Sequence, residues 1–139
     1  MAFSVERIDH DADIGIIVRA ENIEELFRGA ALGMLEILID TAKIESRTIR
    51  IVSAKGKKTE LLLLNFLSEI LDLVLYDGFA ALDVQVGEVS ENFVVAEVAG
   101  QRTLPENAII REIKGVTYHM LSVGETVEGG FEARVIFDL

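Results

Sequence analysis

The chain has 139 residues, half of them apolar and 27% charged, with a single proline, which suits one compact domain and excludes disordered, collagenous and low-complexity architectures. It has no cysteine, so disulfides, cysteine zinc sites, iron–sulfur clusters and thiol nucleophiles are excluded. Twenty-four acidic residues against 13 basic ones give a net charge of −11, a field that as a whole repels RNA and DNA and suits a cation or a basic protein partner.

Residues 1–9 carry charges and lack an apolar h-region, which predicts no signal peptide. The longest apolar stretch, residues 61–76, is interrupted by Asn65, Ser68, Glu69 and Asp72, so it is no membrane span. A cytoplasmic protein without membrane contact is expected. No linker or repeat divides the chain, and residues 1–139 read as a single domain.

In chain order, residues 3–8 and 14–20 pattern as two short strands. Ile14, Ile16 and Val18 alternate, but Ile17 interrupts the polar face, which predicts a strand covered on both sides. Asn22 followed by Glu25 has capping-box spacing. Ile23, Leu26, Phe27, Ala30, Ala31, Met34, Leu35 and Leu38 then recur as a helical stripe. Gly29 and Gly33 each cost this helix about 1 kcal/mol against Ala, and close packing of another element would explain them. Residues 44–54 read as a strand, and residues 55–58 (Lys-Gly-Lys-Lys) as a turn. Thr59 is the expected cap of a second helix over about 60–76. Its polar stripe is narrow, which predicts a central, largely buried helix. Beyond the turn at Asp77-Gly78, residues 79–86 and 92–99 read as a hairpin, followed by strands at 113–123 and 131–138. Strands follow strands without βαβ alternation. The expected class is α+β, with two helices packed on a mostly antiparallel sheet.

Four segments could carry chemistry. The link His10-Asp11-Ala12-Asp13 crowds three potential ligands between two strands. In extended chain Asp11 and Asp13 share one side, and carboxylates suit hard divalent cations. A turn-capping or solvated role is the plain alternative. At the other terminus Asp138 lies opposite in face to Phe137 and beside the α-carboxylate of Leu139, either a dense negative spot or a solvated end. In residues 113–119 (Ile-Lys-Gly-Val-Thr-Tyr-His), Lys114 and His119 fall on opposite strand faces unless a bulge intervenes. Residues 43–58 hold six of the 13 basic residues (Lys43, Arg47, Arg50, Lys55, Lys57 and Lys58) against one acid, Glu45. That run reads either as an RNA- or phosphate-facing patch or as a solvated strand and turn. No Walker A motif, G-x-G-x-x-G or RNP-type aromatic motif occurs.

Together, His10-Asp11-Ala12-Asp13-Ile14-Gly15, the helix bearing Glu25-Leu26-Phe27 and Ala30-Ala31, the run Leu61-Leu62-Leu63-Leu64-Asn65-Phe66-Leu67-Ser68-Glu69-Ile70-Leu71, the strand Ile113-Lys114-Gly115-Val116-Thr117-Tyr118-His119 and the ending Phe137-Asp138-Leu139 resemble the archease family. The likeness covers essentially the whole chain. It departs at Asp11, where the family often has Thr, and at Gly115, where it has Ala. The resemblance implies a non-enzymatic accessory protein of the RtcB-type RNA ligase, which joins tRNA halves and repairs broken RNA. The accessory factor promotes the ligase's guanylylation and multiple turnover and widens its nucleotide use. It touches tRNA only through the ligase and has no DNA role. The resemblance also implies a divalent ion, calcium first with Mg, Mn or Zn as alternatives, held by Asp13, Asp138 and Leu139. It further implies a functional Lys114, with His10, Asp11 and His119 nearby. The rival readings are a stand-alone metal-dependent hydrolase or nuclease using the same carboxylates, and a chaperone-like binding module.

Overall fold

A computed structural model describes residues 2–9 and 12–139. Its elements are β1 (Phe3–Asp9), β2 (Asp13–Ala20), α1 (Ile23–Leu38), β3 (Thr48–Lys55), α2 (Thr59–Leu75), β4 (Ala80–Val89), β5 (Phe93–Gln101), β6 (Gly115–Glu125) and β7 (Phe131–Asp138). The α+β class with antiparallel pairing is as the sequence pattern predicts. The strands form two sheets: one ordered β1-β2-β7-β6, the other β3-β5-β4. The first thus joins the two strands that open the chain to the two that close it.

Both helices touch both sheets. Helix α1 meets β1, β2, β7 and β4, and α2 meets β3, β5 and β6. This position explains why α2 is apolar around most of its circumference, with Leu62, Leu63, Phe66, Leu67, Ile70, Leu71 and Val74 all buried. The rings of Phe27 and Phe66 meet between the helices, their centroids 5.7 Å apart. Each fully buried side chain of this kind contributes about 1.5–3 kcal/mol. One hydrophobic cluster runs through both helices and both sheets.

Helix α1 starts as its sequence predicts, with Asn22 Oδ1 accepting a hydrogen bond from the Glu25 N–H at 2.9 Å. Its two glycines let β1 and β2 approach. A Cβ at Gly29 would come within 2.8 Å of Phe3 and Val18, and one at Gly33 within 3.0 Å of Val5. No helix of the described residues is long and apolar enough to cross a membrane.

Two details, the start of β3 and the cap of α2, differ from the sequence reading. The strand expected from residue 44 begins at Thr48. A single 3-10 turn (Thr41–Lys43), capped by Asp40, precedes it, and Ile44 is buried without being part of the strand. Its apolar side chain marks core packing, which periodicity alone does not separate from ladder pairing. Lys58, not Thr59, caps α2, and it makes no side-chain capping bond. Ile17 lies on the face of β2 turned away from α1, where its cross-strand neighbours are Glu6 and Arg134. Ile17 is nevertheless buried there, so β2 is covered on both sides as its sequence predicts, on the outer face by lateral neighbours in the sheet.

Candidate functional site: an acidic pair at the meeting of the chain ends

Asp13 does not sit in the link between β1 and β2. It is the first residue of β2, and it pairs directly with Asp138, the last residue of β7. The ladder extends to the end of the chain, where the Leu139 N–H donates to the Ala12 carbonyl at 3.3 Å. The register Asp13↔Asp138, Gly15↔Ile136, Ile17↔Arg134 puts both carboxylates on the sheet face turned away from the helices. Directly opposed residues have Cβ atoms about 4.5–5.5 Å apart, and like charges there destabilise the sheet. Phe137, which precedes Asp138 in the strand alternation, is fully buried on the opposite face.

Asp138 is exposed, whereas Asp13 is half-buried. The Asp13 Oδ1 atom is buried with no hydrogen-bond partner among the described residues. A buried polar atom left in this state costs about 1–3 kcal/mol, and more when charged. A cation coordinated by that oxygen would remove both the repulsion and the orphaned acceptor. Carboxylate and carbonyl oxygens are the donor set that hard divalent ions take. Among the described residues no three His, Cys, Asp or Glu side chains cluster, so the set needs a main-chain or terminal oxygen beside the two carboxylates. Leu139 follows Asp138 directly, and its N–H is held by the Ala12 carbonyl beside Asp13. Its side chain packs partly buried against the core, which anchors the chain end next to Asp138.

The third strand segment flanks the same spot. The Lys114 N–H donates to the Asp138 carbonyl at 2.7 Å, and Gly115 is the cross-strand partner of Asp138 on its other side. The Lys114 side chain is exposed. A Cβ at Gly115 would meet nothing within 4 Å, so the Gly/Ala difference there leaves the site unaltered. His119 is farther off. The register of β6 against β7 jumps between Thr117↔Ile136 and Ser122↔Arg134, and residues 118–121 face only Val135. Thr117 clasps this bulge: its Oγ1 donates to the Ile136 carbonyl at 3.0 Å and accepts from the His119 N–H at 3.3 Å. Met120 adopts φ 54°, and Tyr118, His119 and Met120 are exposed. The sequence pattern allows for a bulge without locating it, and it gives no sign of the Thr117 clasp. His10 and Asp11 lie outside the described residues.

Glycine 15 keeps the neighbourhood of the pair tight. A Cβ there would come within 2.8 Å of Ile136 Cδ1, so the isoleucine lies over the glycine one alternation away from the two carboxylates.

The chain resembles known proteins over nearly its whole length. The sequence model of the Archease protein family (MTH1598/TM1083) matches residues 6–139. The chain is 36% identical to protein archease of Methanosarcina mazei over 139 residues, covering 96% of this chain and 94% of the relative. It is 28% identical to protein archease of Pyrococcus abyssi, at 96% and 97% coverage. The solution structure of Methanobacterium thermoautotrophicum protein 1598 superposes with a TM-score of 0.77 at 31% identity, covering 99% of both chains. With a family match over nearly its whole length and the same fold in a solved relative, the chain belongs to the archease family.

Proposed function

We propose that this protein is an accessory factor of an RtcB-type tRNA-splicing RNA ligase. It promotes the ligase's guanylylation and multiple turnover, widens its nucleotide use, and is not itself a ligase. The observation that carries this reading is the direct opposition of Asp13 and Asp138, with an unpartnered buried oxygen, in a chain of the archease family. Opposed like charges weaken a ladder by up to about 1 kcal/mol, and a bound cation would offset that cost. Asp13, Asp138 and a main-chain or terminal oxygen of Leu139 would hold a divalent cation, calcium first, with Mg, Mn or Zn as alternatives. When bound, the ion would supply positive charge between two carboxylates. The residues present that acidic corner on an open sheet face, where a basic ligase surface can dock. Lys114, exposed beside Asp138, offers a cation to a phosphate or to a carboxylate of the ligase.

The test is ligase guanylylation at limiting enzyme, with and without this protein, across divalent metals. Stimulation is expected from the wild type and loss of stimulation from Asp13→Ala and Asp138→Ala, with both variants keeping the wild-type circular dichroism. Full stimulation by both variants overturns the assignment of the site. Turnover of labelled RNA by the protein alone, with metal and without ligase, would replace the accessory reading with a stand-alone hydrolase.

A further inference from the structure

The distribution of positive charge points to a second surface. Every ion pair among the described residues uses arginine: Arg7–Asp9, Arg19–Glu132, Arg28–Asp83, Arg28–Glu25, Arg47–Glu45 and Arg50–Asp77. No lysine is paired among the described residues. Three of the five lysines, Lys55, Lys57 and Lys58, stand within four positions where β3 hands over to α2, and all three are exposed. In a chain of net charge −11, leaving these cations together and unneutralised concentrates a local positive field against the global one.

The same corner holds an open cavity of about 490 Å³, lined by Lys55, Lys57, Leu61, Asn65, Asn92 and Phe93. That size falls within the usual range for small-molecule sites, roughly 300–1,000 Å³. Lys55 and Phe93 are cross-strand partners and both line the cavity, so a cationic and an aromatic side chain leave the same sheet face at its mouth. Phe93 is only half-buried. Asn65 Nδ2 donates to the Lys55 carbonyl at 2.7 Å, and the Gly56 N–H donates to the Asn92 carbonyl at 3.1 Å, so the walls are tied together. Beyond Lys55, the outward face of β3 presents Ile51 and Ile49, 64% and 58% exposed.

We infer that this corner binds a single-stranded nucleic acid, with Lys55, Lys57 and Lys58 on its phosphates and Phe93 under a base. Lysines alone would suit any polyanion. The half-buried ring beside them, above a cavity with a carboxamide wall, suits a chain that alternates phosphates with flat aromatic bases. The repulsion from the rest of the molecule confines the contact to this corner and keeps it short. This inference does not need the ligase reading and can stand or fall without it.

The experiment is fluorescence anisotropy of labelled ten-nucleotide RNA and DNA strands with the full chain, over a salt series. Three phosphate contacts give a slope of log K against log salt near −2, at about −0.7 per contact for single strands. Lys57→Glu with Lys58→Glu should abolish binding. Phe93→Leu should weaken it about tenfold, the size of one base–aromatic stack. Arg7→Glu, which changes the net charge in the same sense on the other sheet, should weaken it far less. RNA binding more tightly than DNA would name the 2′-hydroxyl as part of the recognition, and equal binding would name the phosphate and base alone. The inference is overturned if the wild type binds neither strand, if Arg7→Glu costs as much as the lysine variant, or if poly-glutamate displaces the strands at equal charge concentration.

Discussion

At the scale of single residues, the proposed chemistry rests on Asp13 and Asp138. One has a buried, unpartnered oxygen and the other is exposed, yet they are direct partners across the β2–β7 ladder. The proposed cation site predicts a thermal signature. Calcium at about a hundred times its dissociation constant adds about 2.7 kcal/mol, roughly 10 °C for a chain of this size. Asp13→Asn should erase that shift. In chelator it should melt slightly above the wild type, because up to about 1 kcal/mol of cross-strand repulsion is gone. Thermal scans of both proteins in calcium and in chelator check this, and equal calcium shifts in the two would overturn it. The alternation of Phe137 and Asp138 makes the exposure of Asp138 legible in the sequence. The orphaned oxygen of Asp13 is not legible, because it depends on what lies across the sheet.

At the scale of elements, the helices declare themselves and the edges do not. Asn22 and Glu25 announce α1, and the bond between them is present. The glycines of α1 signal a close approach, and Phe3, Val5 and Val18 make it. The cap of α2 and the start of β3 are displaced, because a Thr near a helix start and an Ile before a strand look alike whether or not they pair. The bulge in β6 is the largest departure from regular pairing. It rests on Thr117, whose hydroxyl serves the Ile136 carbonyl and the His119 N–H at once. Thr117→Val keeps the shape and removes both bonds. It should cost about 1 kcal/mol and speed exchange of the His119 amide about fivefold. Hydrogen-exchange NMR reads this directly, and unchanged protection would show that the bulge is held by other means.

At the scale of the whole molecule, two sheets share one set of helices. Phe66 is fully buried in α2, against Phe27, and α2 touches strands of both sheets. Phe66→Ala should destabilise by about 3–5 kcal/mol, a large part of the roughly 5–15 kcal/mol that holds such a domain together. Urea unfolding followed by circular dichroism should show a single transition at a much lower midpoint. Two separated transitions would mean that the sheets unfold independently and that α2 does not couple them. The sequence by itself determined the number, kind and approximate order of the elements, and the residue types able to bind a cation. Those depend on local periodicity, capping and alternation, which neighbours along the chain establish. Only the tertiary structure decided that there are two sheets, that β2 pairs with β7, and that Asp13 therefore stands opposite Asp138 some 125 positions later. Strand pairing between distant segments is set by which hydrophobic faces can be buried together, and no local pattern encodes that choice.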